Sequence, residues 1–187
     1  MAIQQTQALR NAAVRERNIL RNVYTWMALG LAITGVVAMY VSGNAQLVRS
    51  IVMNRGLFIA LIIGELALVW ILSANIHRMS PTAATLSFAG YALLNGVTLS
   101  VIFLAYTGVS MFLGSATLDY AISFIGVFLF MGLTAYDTQM IKRWSDEIGN
   151  SADEADYMRV SIMGALKLYL DFINLFLFLL RFLGNRR

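Results

Sequence analysis

The chain predicts an all-α, polytopic membrane bundle, and three observations carry that expectation. Of its 187 residues 59% are hydrophobic and only 13% charged, whereas a soluble domain is nearer half apolar and a quarter charged. There is a single proline, and the mean hydropathy is +0.69. The apolar residues fall into five runs of at least ~18 residues, enough to cross a hydrocarbon core of ~30 Å as helix.

The first 21 residues stand apart. Arg10, Arg15, Arg17 and Arg21 oppose the lone Glu16, so residues 1–21 read as a basic arm, amphipathic or disordered, lying beside the membrane surface. The first span is expected over about 22–42, with small residues such as Gly30 and Gly35 that permit close helix approach. Leu47–Met53 reads as a short interfacial helix. The second span, about 57–74, carries Glu65 halfway along. A turn ending in Pro81 then starts the third span, about 82–106, whose Ser87, Asn95, Thr98 and Ser100 suit the inside of a bundle. The segment 107–117 is too short to cross. A fourth span over about 118–141 carries Asp137, a charged loop follows, and a fifth span covers about 160–182.

Charge placement sets the expected orientation. With the N-terminus cytoplasmic, the cytoplasmic segments carry eight basic residues against five on the other side. The basic residues are scattered over loop ends, so the net charge of +4 is a topology signal and gives no reason to expect nucleic-acid binding. With no cysteine and one histidine, His77, thiolate and histidine-cluster metal sites are excluded.

The chemistry is expected where ionisable groups enter hydrocarbon, which costs roughly 3 kcal/mol on insertion scales. Glu65, Asp137 and Asp171 are the acids within spans and Lys167 the cation. Lys167, Asp171 and Asn174 share a helix face at spacing i, i+4, i+7, and Lys167 could neutralise Asp171 one turn away. The plain alternative for each is structural glue between helices. Asp137 and Asp171 lie on consecutive, antiparallel helices. Two carboxylates brought together there would share a proton, and their oxygens would suit a transient Ca²⁺. No hydrolase motif is present, so an enzyme is not expected. Tyr136-Asp137 matches half of the paired-aspartate signature of intramembrane proteases, but Leu170-Asp171 lacks the other half.

Several blocks together resemble the Bax inhibitor-1 (TMBIM, or LFG) family, bacterial branch. They are Gly132-Leu-Thr-Ala-Tyr-Asp-Thr-Gln139, Gly164-Ala-Leu-Lys-Leu-Tyr-Leu-Asp-Phe-Ile-Asn-Leu-Phe176 and the closing Leu-Leu-Arg-Phe-Leu-Gly184, with Asn95-Gly-Val-Thr-Leu99 in the third span. The resemblance covers nearly all of 20–187. It implies a pH-sensitive Ca²⁺ leak of the bacterial inner membrane with no resident cofactor. The aspartates matching Asp137 and Asp171 would form the proton-sharing latch, a basic residue would assist (Arg78 is the nearest here), and acid would favour the open form. It also implies seven spans with the last one central. Five are visible, the gap falling between Tyr106 and Asp119. Without two walls, Asp171 is expected to face lipid unless another subunit covers it. A second reading stands beside the leak: a non-transporting regulator that binds and inhibits another membrane protein, such as a quality-control protease.

Overall fold

The computed structural model describes residues 1–108, 116–148 and 153–184. Six α-helices follow one another: α1 (Ala2–Ser42), α2 (Ala45–Met53), α3 (Arg55–Asn75), α4 (Pro81–Gly108), α5 (Ala116–Ile148) and α6 (Glu154–Gly184), with a 3-10 turn at Ile76–Arg78. Five of them, all but α2, are long and apolar enough to cross a membrane. The middle of the segment 107–117, residues 109–115, lies outside the described residues, as does 149–152.

The helix starts follow from local side-chain chemistry. Asn44 Oδ1 accepts from the backbone N–H groups of Gln46 and Leu47, both at 3.2 Å, and caps α2. Asn54 caps α3 through the N–H of Leu57 at 3.0 Å. Ser80 does the same for α4 through Ala83 at 3.2 Å, with Pro81 in the first turn, where its missing N–H costs nothing. Asp153 caps α6 through the N–H of Asp156 at 2.8 Å, and Glu154 and Asp156 place negative charge in that first turn.

The arm is where the structure departs most from expectation. Residues 2–21 continue the first span as one helix. The segment has neither glycine nor proline and is rich in Ala, Gln, Leu and Arg, all good helix formers. It is also docked. Ile19 and Val23 are fully buried against Ile141 and Leu168. Lys142 Nζ lies 3.0 Å from Glu16 Oε1, and Arg15 Nε donates to the Ser145 carbonyl at 3.1 Å, near the C-terminal end of α5, where a cation is favoured. For the same reason α5 runs on to Ile148 and α6 begins at Glu154. Charged residues past the apolar run remain helical, so the expected loop between the last two spans is largely helix ends.

α4 and α6 form the interior, with 44% of each spanning window buried against 6% for α3. α6 packs against α1, α4 and α5, whereas α3 leans on α4 and buries only Leu72 among its residues. The seams are tight where side chains are absent. A Cβ on Gly96 would lie 2.8 Å from the Thr34 carbonyl oxygen, so the α1 and α4 backbones touch there. A Cβ on Gly164 would lie 2.9 Å from Val23 and 3.1 Å from Ile141, which seats α6 between α1 and α5. Beyond Ile173 the last helix is only half-buried.

Candidate functional site

α5 and α6 run antiparallel, and their contacts fix the register. Gly164 lies against Ile141 and Gly126 against Phe178, and the rings of Phe130 and Phe178 stack at 5.6 Å between centroids. This register sets Asp137 level with Lys167, and Lys167 Nζ is 3.6 Å from Asp137 Oδ1. Asp171 stands one turn further along α6, a step of about 6 Å, beside Thr134 of α5. The two acids therefore share the α5–α6 seam but are offset. Lys167 reaches across to Asp137 instead of back along its own helix to Asp171.

All three groups are shielded. Asp137 is 8% exposed, Asp171 6%, and the Lys167 side chain 30%. The expectation that Asp171 would open to lipid is thus corrected: α5 covers it within a single chain. One of its oxygens, Oδ2, is buried with no hydrogen-bond partner among the described residues. Asp137 and Lys167 are the charges that act on it, and the Thr134 hydroxyl is its polar neighbour. No cluster of three or more His, Asp or Glu able to hold a metal occurs among the described residues.

The expected supporting residues fall elsewhere. Asn174 Nδ2 donates to the Leu170 carbonyl of its own helix at 2.8 Å, so its amide is not spent on Asp171. Glu65 belongs to the α3–α4 seam, where its Oε1 accepts from Thr98 Oγ1 at 2.6 Å. Arg78 is exposed in the 3-10 turn, about 20 Å along the chain axis from Glu65 at helical rise. The arginine that ties this turn to the bundle is Arg159. Its Nε donates to the Met79 carbonyl at 2.9 Å, and its Nη1 pairs with Asp156 at 2.8 Å, holding the start of α6 to the turn before α4.

A second polar centre went unnoticed in the sequence. Tyr169 is two residues from Asp171, hence on the opposite face of α6, and it is fully buried between α1 and α4. Asn95 Nδ2 donates to Tyr169 Oη at 2.7 Å, Tyr169 Oη and Thr34 Oγ1 are 2.5 Å apart, and Thr34 Oγ1 donates to the Ala92 carbonyl at 2.9 Å. Thr34 has one hydroxyl proton, already given to Ala92, so Tyr169 must donate to Thr34. The result is a directed chain, Asn95 to Tyr169 to Thr34 to Ala92, joining three helices. Phe88 and Tyr91 meet the Tyr169 ring edge-on, at 5.8 and 5.6 Å. The sequence signal was the pair Thr34 and Asn95, polar residues inside two apolar runs.

The family model described as "Inhibitor of apoptosis-promoting Bax1" matches the chain over residues 16–110 and 108–187. The chain belongs to the Bax inhibitor-1 family. Among bacterial relatives it is 37% identical to the inner membrane protein YbhL of Escherichia coli K12 over 215 positions, covering 90% of this chain and 92% of that protein. An uncharacterized protein of Deinococcus radiodurans is 37% identical over 218 positions, 91% of each chain. One of Borreliella burgdorferi is 32% identical over 220, 92% of this chain and 94% of that one. No solved structure matches the chain. With five apolar helices and a relative named for the inner membrane, this Bax inhibitor-1 protein is an integral membrane protein.

The comparison also locates the shortening. Ninety per cent of 187 residues is about 168, so about 47 of the 215 positions shared with YbhL face a gap in this chain. The family model matches in two pieces that meet at 108–110, which puts the break between α4 and α5. A stretch of that length would hold two ~20-residue spans and a short connection.

Proposed function

We propose that this Bax inhibitor-1 protein is a pH-sensitive cation leak, passing Ca²⁺, with Asp137, Lys167 and Asp171 as its sensor. One observation supports the reading: a carboxylate oxygen of Asp171 buried without a hydrogen-bond partner among the described residues, one helical turn from the Asp137–Lys167 ion pair. Two carboxylates and one ammonium leave an excess negative charge in hydrocarbon. Only a proton or a cation can neutralise it there, so both compete for the same oxygen. The Lys167–Asp137 pair fastens α5 to α6 beside that oxygen. On this reading a proton reaching the seam displaces the cation held there, and flux rises as pH falls. Glu65, bound to Thr98, supports the α3–α4 wall and takes no direct part.

The test is the purified full chain in liposomes enclosing a Ca²⁺ dye. Ca²⁺ entry that grows on acidification, and that Asp171→Asn uncouples from pH, supports the leak. A folded protein that passes no Ca²⁺ at any pH overturns it, and leaves the non-transporting regulator as the reading to pursue.

A further inference from the structure

A crevice of about 570 Å³ runs along the outside of the bundle between α1 and α6. Leu31, Gly35, Ala38 and Met39 of α1 face Phe172 and Phe176 of α6 across it. The α1 residues recur at i, i+4, i+7 and i+8, so they make one stripe along the helix. The walls are apolar in fact as well as in name. Two hydroxyls border the crevice, and both are already bonded: Thr34 Oγ1 to the Ala92 carbonyl, and Ser42 Oγ to the Met39 carbonyl at 3.1 Å. Nothing in it asks for a polar ligand.

The crevice has a length and a mouth. From Leu31 to Ser42 a helix rises about 16 Å, the depth of one leaflet of a ~30 Å core. At Ser42 it meets a second hollow, of about 270 Å³, lined also by Val48, Arg49 and Val52 of the surface helix α2. Arg49 is exposed, makes no ion pair among the described residues, and sits in a connection, residues 43–56, whose only other charge is Arg55. An apolar slot one leaflet deep thus opens beneath an unopposed guanidinium, the group best suited to a phosphate diester.

We propose that this is a binding site for one anionic phospholipid, its acyl chain lying between α1 and α6 and its phosphate on Arg49. The site is separate from the α5–α6 seam and does not depend on the leak. Two substitutions probe its two ends without disturbing the core. Gly35 has open space where a side chain would stand, so Gly35→Leu fills the slot, and Arg49→Gln removes the charge from an exposed position.

The full chain, reconstituted in nanodiscs of phosphatidylcholine doped with phosphatidylglycerol and released into detergent, is weighed by native mass spectrometry. The wild type retains one phosphatidylglycerol, preferred over phosphatidylcholine about fivefold, the effect of roughly one surface charge. Arg49→Gln abolishes the preference but keeps a lipid, and Gly35→Leu retains neither. Equal retention in Gly35→Leu and wild type overturns the proposal, as does absence of headgroup preference in the wild type. So does a lipid-free dimer that Gly35→Leu dissociates, which would give the slot to a second copy of the chain.

Discussion

Lys167 Nζ lies 3.6 Å from Oδ1 of Asp137 on the neighbouring helix, although Asp171 stands one turn away on its own. The choice follows from the register of the α5–α6 hairpin, which puts residue 137 level with 167 and residue 134 level with 171. An ion pair across a seam fastens two helices, whereas one along a single helix would fasten none.

Lys167→Met leaves the Asp137 charge shielded and uncompensated. The pair is only partly exposed to water, so the loss should be about 2 kcal/mol, between the values for surface and buried pairs. Thermal unfolding in detergent would read it. Adding Asp137→Asn should recover most of the loss, because the coupled pair then disappears together.

Tyr169→Phe keeps the aromatic packing and breaks the directed chain. Asn95 loses its acceptor and Thr34 its incoming proton, at a cost of about 1–2 kcal/mol. Replacing Asn95 by Leu in the same protein should cost less than the sum of the two single changes. Strict additivity in a double-mutant cycle would show that the three hydroxyl and amide groups act separately.

Gly96→Val should prevent assembly of the bundle, since the new methyls meet the Thr34 carbonyl and Val37. Gly132→Ala should be nearly neutral or slightly stabilising, because no heavy atom lies within contact of the added methyl. Size-exclusion profiles of the two variants in detergent compare them directly.

Removal of residues 1–14 should leave thermal stability almost unchanged, as the contacts of Arg15, Glu16, Ile19 and Val23 remain. Removal of 1–23 strips two fully buried aliphatic side chains from Ile141 and Leu168. That should cost about 3 kcal/mol or more, and a melting curve would separate the two truncations.

The bundle was legible in the chain because each span is a run of apolar residues, and three of them, α3, α4 and α6, begin at a capping residue: Asn54, Ser80 with Pro81, and Asp153. The interior helix was legible too, since Asn95, Gly96 and Thr98 are ill suited to lipid. The docked arm was not. Nothing within residues 1–21 says that Ile19 has a partner at Ile141, more than a hundred residues on. Tyr169 is not legible as a core residue, since tyrosine in an apolar run usually marks an interface with water, and only the packing of α1 and α4 shows that it faces inward. The two acids were found from cost alone, but their offset, and the partner Lys167 takes, depend on hairpin register, which a sequence of apolar residues leaves open.

α1 has 41 residues and is therefore about 60 Å long, twice the thickness of the hydrocarbon it crosses. Its surplus, the tail of α5 and the head of α6 are bolted together by Glu16 and Lys142 and by the contacts of Ile19. They form a short three-helix stub at one end of the bundle. Two of those helices carry Asp137 and Asp171 further down. The packing of that stub thus sets how the helices that hold the shielded acids lie against each other.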